Sequence, residues 1–227
     1  MHRNIQNHSL SDMNYPISTK RRIFEILLVV LTGISKILVM DTLNLKLPYI
    51  ILVTLFWLSY FIYRTCTEKE LYKYWGLSLS NSKPLFKIVA SVGVVLIAVI
   101  VIYGVYIEPI HWSVHILFVL LVYPIWGLIQ QFLIMSLFAG NIHDFRGKNT
   151  GGMITVLLTS ILFSIVHYPS FPLMFATLVM AIIYSYLFLK YRNIIPLGLF
   201  HGIIGGLFYY VILNRDAWAE FVTKYIN

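Results

Sequence analysis

Four side chains with useful chemistry stand inside otherwise apolar stretches of this 227-residue sequence: Gln130, Gln131, His167 and His201. A histidine, with an ordinary pKa of about 6.5, can take up or release a proton near neutral pH. A glutamine amide can position water by hydrogen bonding, but it has no useful proton affinity. The set therefore predicts a polar site in which the histidines are the candidates for proton chemistry.

The elements that must position these side chains are membrane-spanning helices. Hydrophobic residues make up 59% of the sequence and charged residues 11%, which excludes a soluble enzyme and a disordered chain. Continuous apolar runs of roughly 17 to 27 residues can cross a hydrocarbon core of about 30 Å as helices, whereas a membrane β-barrel would show short alternating segments. We therefore expect an all-α polytopic transmembrane helix bundle of about seven spans. The predicted spans are residues 23–40, 47–63, 88–107, 113–139, 153–167, 171–189 and 194–213.

Lysine and arginine are distributed unevenly between the predicted loops. With the amino terminus in the cytoplasm, thirteen of the 17 basic residues fall on that side and three outside, as the positive-inside rule requires. We expect an integral membrane protein of the cell (inner) membrane, and we read the formal charge of +8 as topology and lipid contact, without a nucleic-acid partner. The predicted organisation is a polar cytoplasmic tail without a signal peptide at residues 1–22, a transmembrane bundle at 23–213 and a short tail at 214–227.

Helix geometry limits how the polar residues can be used. Adjacent helical positions are about 100° apart, so at most one of Gln130 and Gln131 can point into a central cavity, and the other would bond a neighbouring helix. His167 precedes Pro169, which cannot continue a helix hydrogen-bond ladder. The His167 ring could therefore cap the carbonyl groups that the proline leaves free.

Glycine recurs every four residues in the last apolar run, at Gly198, Gly202 and Gly206. This spacing predicts a smooth helix face that lets another helix approach closely. His201 lies on the adjoining face, so close packing would hold its ring near the helix that packs there.

Two motifs resemble a known family. Phe163 and His167 stand in FSIVH, and His201 follows NIIPLGLF on a later apolar run. These motifs, with the hairpin between them, resemble the CAAX protease and bacteriocin-processing family (CPBP or Abi) of glutamic-type intramembrane proteases. The resemblance covers roughly residues 113–213 and implies a CPBP-like core in the last four spans. It also implies that the two histidines orient water or stabilise an oxyanion while a peptide bond is hydrolysed in or near the membrane.

The chain departs from the family at several motif positions. The family reads Glu-Glu-x-x-x-Arg on the span before FSIVH, and Asn or Asp four residues after the last histidine. Here Gln130 and Gln131 replace the glutamates, Met135 the arginine and Gly205 the Asn or Asp. The family's first glutamate is taken to activate water, which an amide cannot do. The resemblance implies a peptidase-type site with altered groups, in which Gln130 orients water or the substrate carbonyl.

Other functions are compatible with the same residues. A catalytically inactive relative would act as a membrane scaffold or regulator, and a transporter would use the polar groups as a substrate path, although paired broken half-repeats are missing. Two histidines are too few for a catalytic zinc site, and nothing beyond them supports haem. We expect no cofactor and no metal. Membrane lipids, and a membrane protein or lipidated peptide as substrate, are the expected partners, and the sequence does not predict an oligomeric state.

Overall fold

The computed structural model describes residues 17–80, 82–106, 113–146 and 151–225, and every regular element in them is helical. The helices are α1 (Thr19–Ser35), α2 (Lys46–Thr67), α3 (Leu71–Tyr74), α4 (Ser82–Tyr106), α5 (His115–Gln131), α6 (Gly140–Arg146), α7 (Gly151–Ile165), α8 (Phe171–Tyr191), α9 (Ile195–Leu207) and α10 (Ala217–Tyr225). Short π-helical stretches follow α1, α5 and α9, at Lys36–Thr42, Phe132–Ala139 and Phe208–Ile212. The all-α fold class is confirmed for these residues, and the predicted tail lies outside them up to residue 16.

Six helices within the described residues are long and apolar enough to cross a membrane. They are Thr19–Met40, Lys46–Thr67, Ser82–Tyr106, His115–Phe145, Phe171–Tyr191 and Ile195–Ile212. The remaining predicted span, at residues 153–167, falls on α7, which has 15 residues. At about 1.5 Å per residue α7 is about 22 Å long, shorter than the hydrocarbon core. The chain is an integral membrane protein built as a helix bundle.

The surface of these helices is apolar, as a lipid environment requires. Leu52, Leu121 and Phe175 are each about 70% exposed, while polar residues such as Glu25 and Gln131 are fully buried. Lipid cannot satisfy the hydrogen bonds of polar side chains, so these turn towards other helices.

The described contacts divide the chain into two compact units. Unit 1 contains the residues up to Ser78 together with Leu133–Arg192, and unit 2 contains Leu79–Phe132 together with the residues from Asn193 onwards. Helices α1, α2, α3, α6, α7 and α8 therefore belong to unit 1, and α4, α5, α9 and α10 belong to unit 2.

Unit 1 is held together by a buried polar network. Glu25 on α1 accepts hydrogen bonds from the Tyr60 hydroxyl at 2.5 Å and from Asn141 Nδ2 at 2.6 Å. Arg64 on α2 is 2% exposed, and its Nε lies 3.9 Å from Glu25 Oε1. Asn141 Oδ1 accepts a further bond from Arg22 at 3.3 Å. Because these bonds join α1, α2 and α6, the network sets how three helices of unit 1 pack.

Unit 2 ends in an amphipathic helix, α10, that is capped by Asp216. The carboxylate accepts the backbone N–H groups of Trp218 and Ala219 at 3.0 Å, and its other oxygen lies 2.6 Å from His115 Nδ1 on α5. Burial alone raises the pKa of Asp216, but the hydrogen bonds from Ala219 and His115 lower it by more, so the pKa lies below its usual range. Asp216 therefore fixes both the start of α10 and its contact with α5.

Candidate functional site

Helices α5 and α9 of unit 2 approach each other at backbone distance through glycines. A Cβ added at Gly202 would lie 2.2 Å from the Tyr123 carbonyl oxygen and 2.4 Å from Pro124 Cα, and one at Gly198 would lie 2.7 Å from Leu128 Cα. Real Cβ atoms never come so close to backbone, so only glycine fits at these positions. The packing face predicted from the glycine spacing is confirmed, and α5 is the helix that packs on it.

This close approach brings Gln131 and His201 into contact. Gln131 Nε2 lies 2.7 Å from His201 Nδ1, Gln131 is fully buried and His201 is 6% exposed. Gln130, the preceding residue on α5, is partly exposed, and its side chain makes no hydrogen bond to the described residues. The expectation that one of the two glutamines bonds a neighbouring helix is confirmed. The one that does so is Gln131, whose partner His201 lies on α9.

The Gln131–His201 contact defines the protonation of the ring. A side-chain amide nitrogen only donates hydrogen bonds, so with the Gln131 amide in this orientation His201 Nδ1 accepts and the proton of the neutral ring resides on Nε2. Gln131 Oε1 is buried and has no hydrogen-bond partner in the part of the chain that the structure describes. An unsatisfied buried acceptor costs about 1–3 kcal/mol, and such an acceptor is available to a ligand that donates a hydrogen bond.

Gly205 lies beside the His201 ring. A Cβ at this position would be 3.4 Å from His201 Cδ2 and 3.7 Å from its Nε2. A side chain such as Asn or Asp at this position would therefore begin next to Nε2. With glycine, the side-chain group that the family motif places there is missing.

His167 lies in unit 1, in the turn that follows α7. Its Nδ1 is 2.7 Å from the Phe163 carbonyl oxygen, and its ring contacts the Phe163 ring edge to face at 5.0 Å. A carbonyl oxygen only accepts, so Nδ1 carries the proton and Nε2 carries the lone pair of the neutral ring. The His167 ring therefore caps a carbonyl in the last turn of α7, as expected. The capped carbonyl is that of Phe163 and not the Ile165 carbonyl that Pro169 leaves free, which accepts from the Tyr168 N–H at 3.0 Å.

One residue near His167 was missed by the sequence-based set. Lys36, at the end of α1, donates a hydrogen bond from Nζ to the Tyr168 carbonyl oxygen at 3.1 Å. The sequence does contain a signal, because a lysine interrupts an otherwise apolar run. Glu25 on the same helix interrupts it in the same way, and it lies in the buried network of unit 1.

The structure thus brings Gln131 and His201 together in unit 2, leaves Gln130 partly exposed on the same unit, and places His167 in unit 1. Among the described residues no three histidine, cysteine or carboxylate side chains cluster to hold a metal ion. The chemistry that the described geometry offers is a hydrogen-bond donor at His201 Nε2, an acceptor at Gln131 Oε1 and a proton acceptor at His167 Nε2.

The fold and these residues define a polytopic α-helical membrane protein with a buried histidine–amide pair. Residues 109–207 match the family model described as Type II CAAX prenyl endopeptidase Rce1-like. This part of the chain is therefore similar to an Rce1-like domain of the CAAX protease family, and the resemblance to the CPBP family is confirmed. The match contains all four candidate residues and leaves α1 to α4 outside. No curated protein and no solved structure matches the chain.

Proposed function

We propose that this protein is a membrane-embedded, CPBP-like peptidase that hydrolyses peptide bonds in or near the membrane with altered catalytic groups. The observation that carries the proposal is the buried Gln131–His201 pair, which lies inside the Rce1-like match. A buried histidine at a glycine-lined helix contact is costly in a membrane bundle, and such residues mark functional sites.

The two histidines have different roles in this proposal. His167 Nε2, which carries a lone pair, accepts a proton from water as the water oxygen attacks the peptide carbonyl carbon. His201 has an Nε2–H that can donate to a carbonyl oxygen as it becomes negative during hydrolysis. The carbon–nitrogen bond then breaks, and the proton passes from His167 to the leaving amine.

The glutamines position the reacting groups. Gln131 holds His201 in the donor form, and Gln130 orients the water or the substrate carbonyl. A positioned general base increases the rate by about 10² to 10⁴. In this proposal His167 is the general base, whereas the family uses a glutamate. Removing one oxyanion donor costs about 10² to 10³, so His201→Ala should lower turnover by that factor.

A catalytically inactive scaffold or regulator is the second candidate. It is favoured by four departures from the family motifs. Two carboxylates are replaced by amides at Gln130 and Gln131, and the polar side chains at two further positions are lost at Met135 and Gly205. Such a protein would bind membrane partners without turnover.

A comparison of protein termini in membranes distinguishes the two candidates. Cells would carry the wild type, a deletion, His201→Ala or His167→Ala at matched abundance, with His115→Ala as a control histidine outside the motifs. Termini that vanish in the deletion and in both motif variants, but persist in His115→Ala, would support the peptidase. If the motif variants match wild type while the deletion changes only protein levels or complexes, the scaffold function is correct.

The substrate and orientation belong to the same proposal. The substrate is a membrane protein or a lipidated peptide, and the membrane is the cell (inner) membrane with the amino terminus in the cytoplasm. Cys66 is the single cysteine and is exposed at the end of α2, on the side predicted to be cytoplasmic. An impermeant maleimide should label it only after the cells are permeabilised, and labelling of intact cells would contradict the orientation.

A further inference from the structure

The turn that carries His167 is contacted by α1 on both sides of the histidine. On one side, a Cβ added at Gly33 would lie 2.8 Å from Val166 Cγ1, so Val166 packs directly against the backbone of α1. On the other side, Lys36 Nζ donates to the Tyr168 carbonyl oxygen at 3.1 Å. The residues before and after His167 are therefore both held by one helix.

The two contacts come from one face of α1. Gly33 and Lys36 are three residues apart, and such positions lie next to each other on a helix surface. Lys36 also begins the π-helical stretch Lys36–Thr42, and π-helical turns are frequent at functional sites. A lysine in an apolar span is rare and costly, and such residues tend to be functional. The hydrogen bond from Lys36 to the Tyr168 carbonyl oxygen indicates that its function is to hold the turn.

His167 depends on this turn for its protonation. Its Nδ1 reaches the Phe163 carbonyl oxygen only while the turn keeps the ring above the end of α7. If the turn moves, the bond to the carbonyl is lost and the neutral ring can populate both tautomers. The lone pair would then no longer be confined to Nε2.

We infer that α1, which lies outside the Rce1-like match, supplies two positioning residues for His167. Gly33 and Lys36 clamp the turn at Val166 and Tyr168 and thereby keep the His167 lone pair on Nε2. The catalytic consequence rests on the proposed peptidase function, whereas the clamp itself is a property of unit 1.

The first test is nitrogen-15 NMR of the full-length protein in lipid nanodiscs with labelled histidine. The His167 signals are assigned by their loss in His167→Gln. Lys36→Met keeps the length of the side chain and removes the donor, Lys36→Arg keeps donors, and Lys20→Met is a matched control at an exposed position of the same helix.

We expect the wild type, Lys36→Arg and Lys20→Met to show His167 protonated at Nδ1 alone, and Lys36→Met to show a mixture of the two tautomers. Gly33→Leu, which pushes Val166 away, should give the same mixture and serves as the test if Lys36→Met does not fold. An unchanged Nδ1–H signature in a folded Lys36→Met or Gly33→Leu variant would overturn the inference.

The second test is turnover. A misplacement of about 1 Å in an active site can cost about 100-fold in rate, so Lys36→Met should lower kcat by about 10- to 100-fold with little change in KM, and Lys36→Arg should restore most of it. If His167→Ala leaves peptide hydrolysis unchanged while Lys36→Met still mixes the tautomers, the proposed function fails and the clamp stands. If kcat of Lys36→Met equals that of Lys20→Met while His167→Ala is inactive, the positioning role is wrong.

Discussion

Replacing Gly202 by alanine should separate α9 from α5, because the added methyl group meets backbone and not a movable side chain. Its Cβ would lie 2.2 Å from the Tyr123 carbonyl oxygen, whereas carbon and oxygen normally approach to about 3.3 Å. Helix α9 must therefore retreat by about 1 Å at this level.

The stability lost by this displacement of α9 can be estimated from the geometry. His201 is the neighbour of Gly202, so the Gln131–His201 distance of 2.7 Å would grow to about 3.7 Å, beyond hydrogen-bond range. An interhelical bond in a membrane is worth about 0.6–2 kcal/mol, and overpacking costs about 1–3 kcal/mol. Together we expect Gly202→Ala to lose about 2–5 kcal/mol of stability.

The assay is reversible unfolding in mixed micelles by a denaturing detergent, followed by nitrogen-15 NMR of His201 in the folded variant. Gly152→Ala is the matched control, since a Cβ at Gly152 meets nothing within 4 Å, and its stability should stay within about 0.5 kcal/mol of wild type. If Gly202→Ala is as stable as Gly152→Ala and the His201 signals do not shift, the backbone contact does not set the pair and the reasoning is wrong.

Three further predictions address other parts of the molecule. Gln131→Glu places a carboxylate, which only accepts hydrogen bonds, against His201, so Nδ1 of His201 should become protonated. An unprotonated Nδ1 in this variant would contradict the assigned contact. Gln130→Glu should leave the His201 spectrum unchanged and should increase hydrolysis if its site holds water and substrate. Glu25→Ala removes the carboxylate from the buried network of unit 1 and should cost about 3–5 kcal/mol of stability in detergent unfolding. Glu25→Gln should cost less, because the amide keeps the shape of the side chain. If Glu25→Ala is as stable as the wild type, the network does not contribute to stability. The pKa of Asp216 is lowered in the folded protein. The stability that this gives α10 is present above the unfolded carboxyl pKa of about 4 and is lost as pH falls through the lower folded pKa. Hydrogen exchange of α10 should therefore accelerate in that pH range, and in Asp216→Ala it should no longer depend on pH there.

The all-α fold class could be predicted from the sequence, because helix formation in a membrane span has a local physical cause. A run of apolar residues long enough to cross the hydrocarbon core must satisfy its own backbone, and only a helix does so within one segment. The glycines at Gly198, Gly202 and Gly206 are a second local signal, because their spacing alone places them on one helix face. The structure confirms both.

The choice between Gln130 and Gln131 was beyond local reasoning. The rotation of about 100° per residue shows that one glutamine turns inwards, but which one does so depends on the face of α5 that meets α9. That face is set by the backbone contact at Gly202, whose partner Tyr123 lies far away in the sequence. The sequence-based interpretation assigned the orienting role to Gln130, and the structure shows that Gln131 is the glutamine that bonds α9.

The charged residues of α1 show the same limit. Glu25 and Lys36 appear in the sequence as interruptions of an apolar span, because their partners Asn141 and Tyr168 are more than a hundred residues away. A charge in a membrane span must be paired or solvated, so the sequence could state that partners exist, without naming them.

By itself, the sequence determined that this chain is a membrane-spanning helical protein with a CPBP-like core, since hydropathy, helix length and motif spacing act over short segments. Only the tertiary structure decided which nitrogen of each histidine carries the proton. Protonation follows from the neighbouring atom, a donor amide at His201 and an acceptor carbonyl at His167, and the ring reaches that atom only once the helices and the turn after α7 are in place.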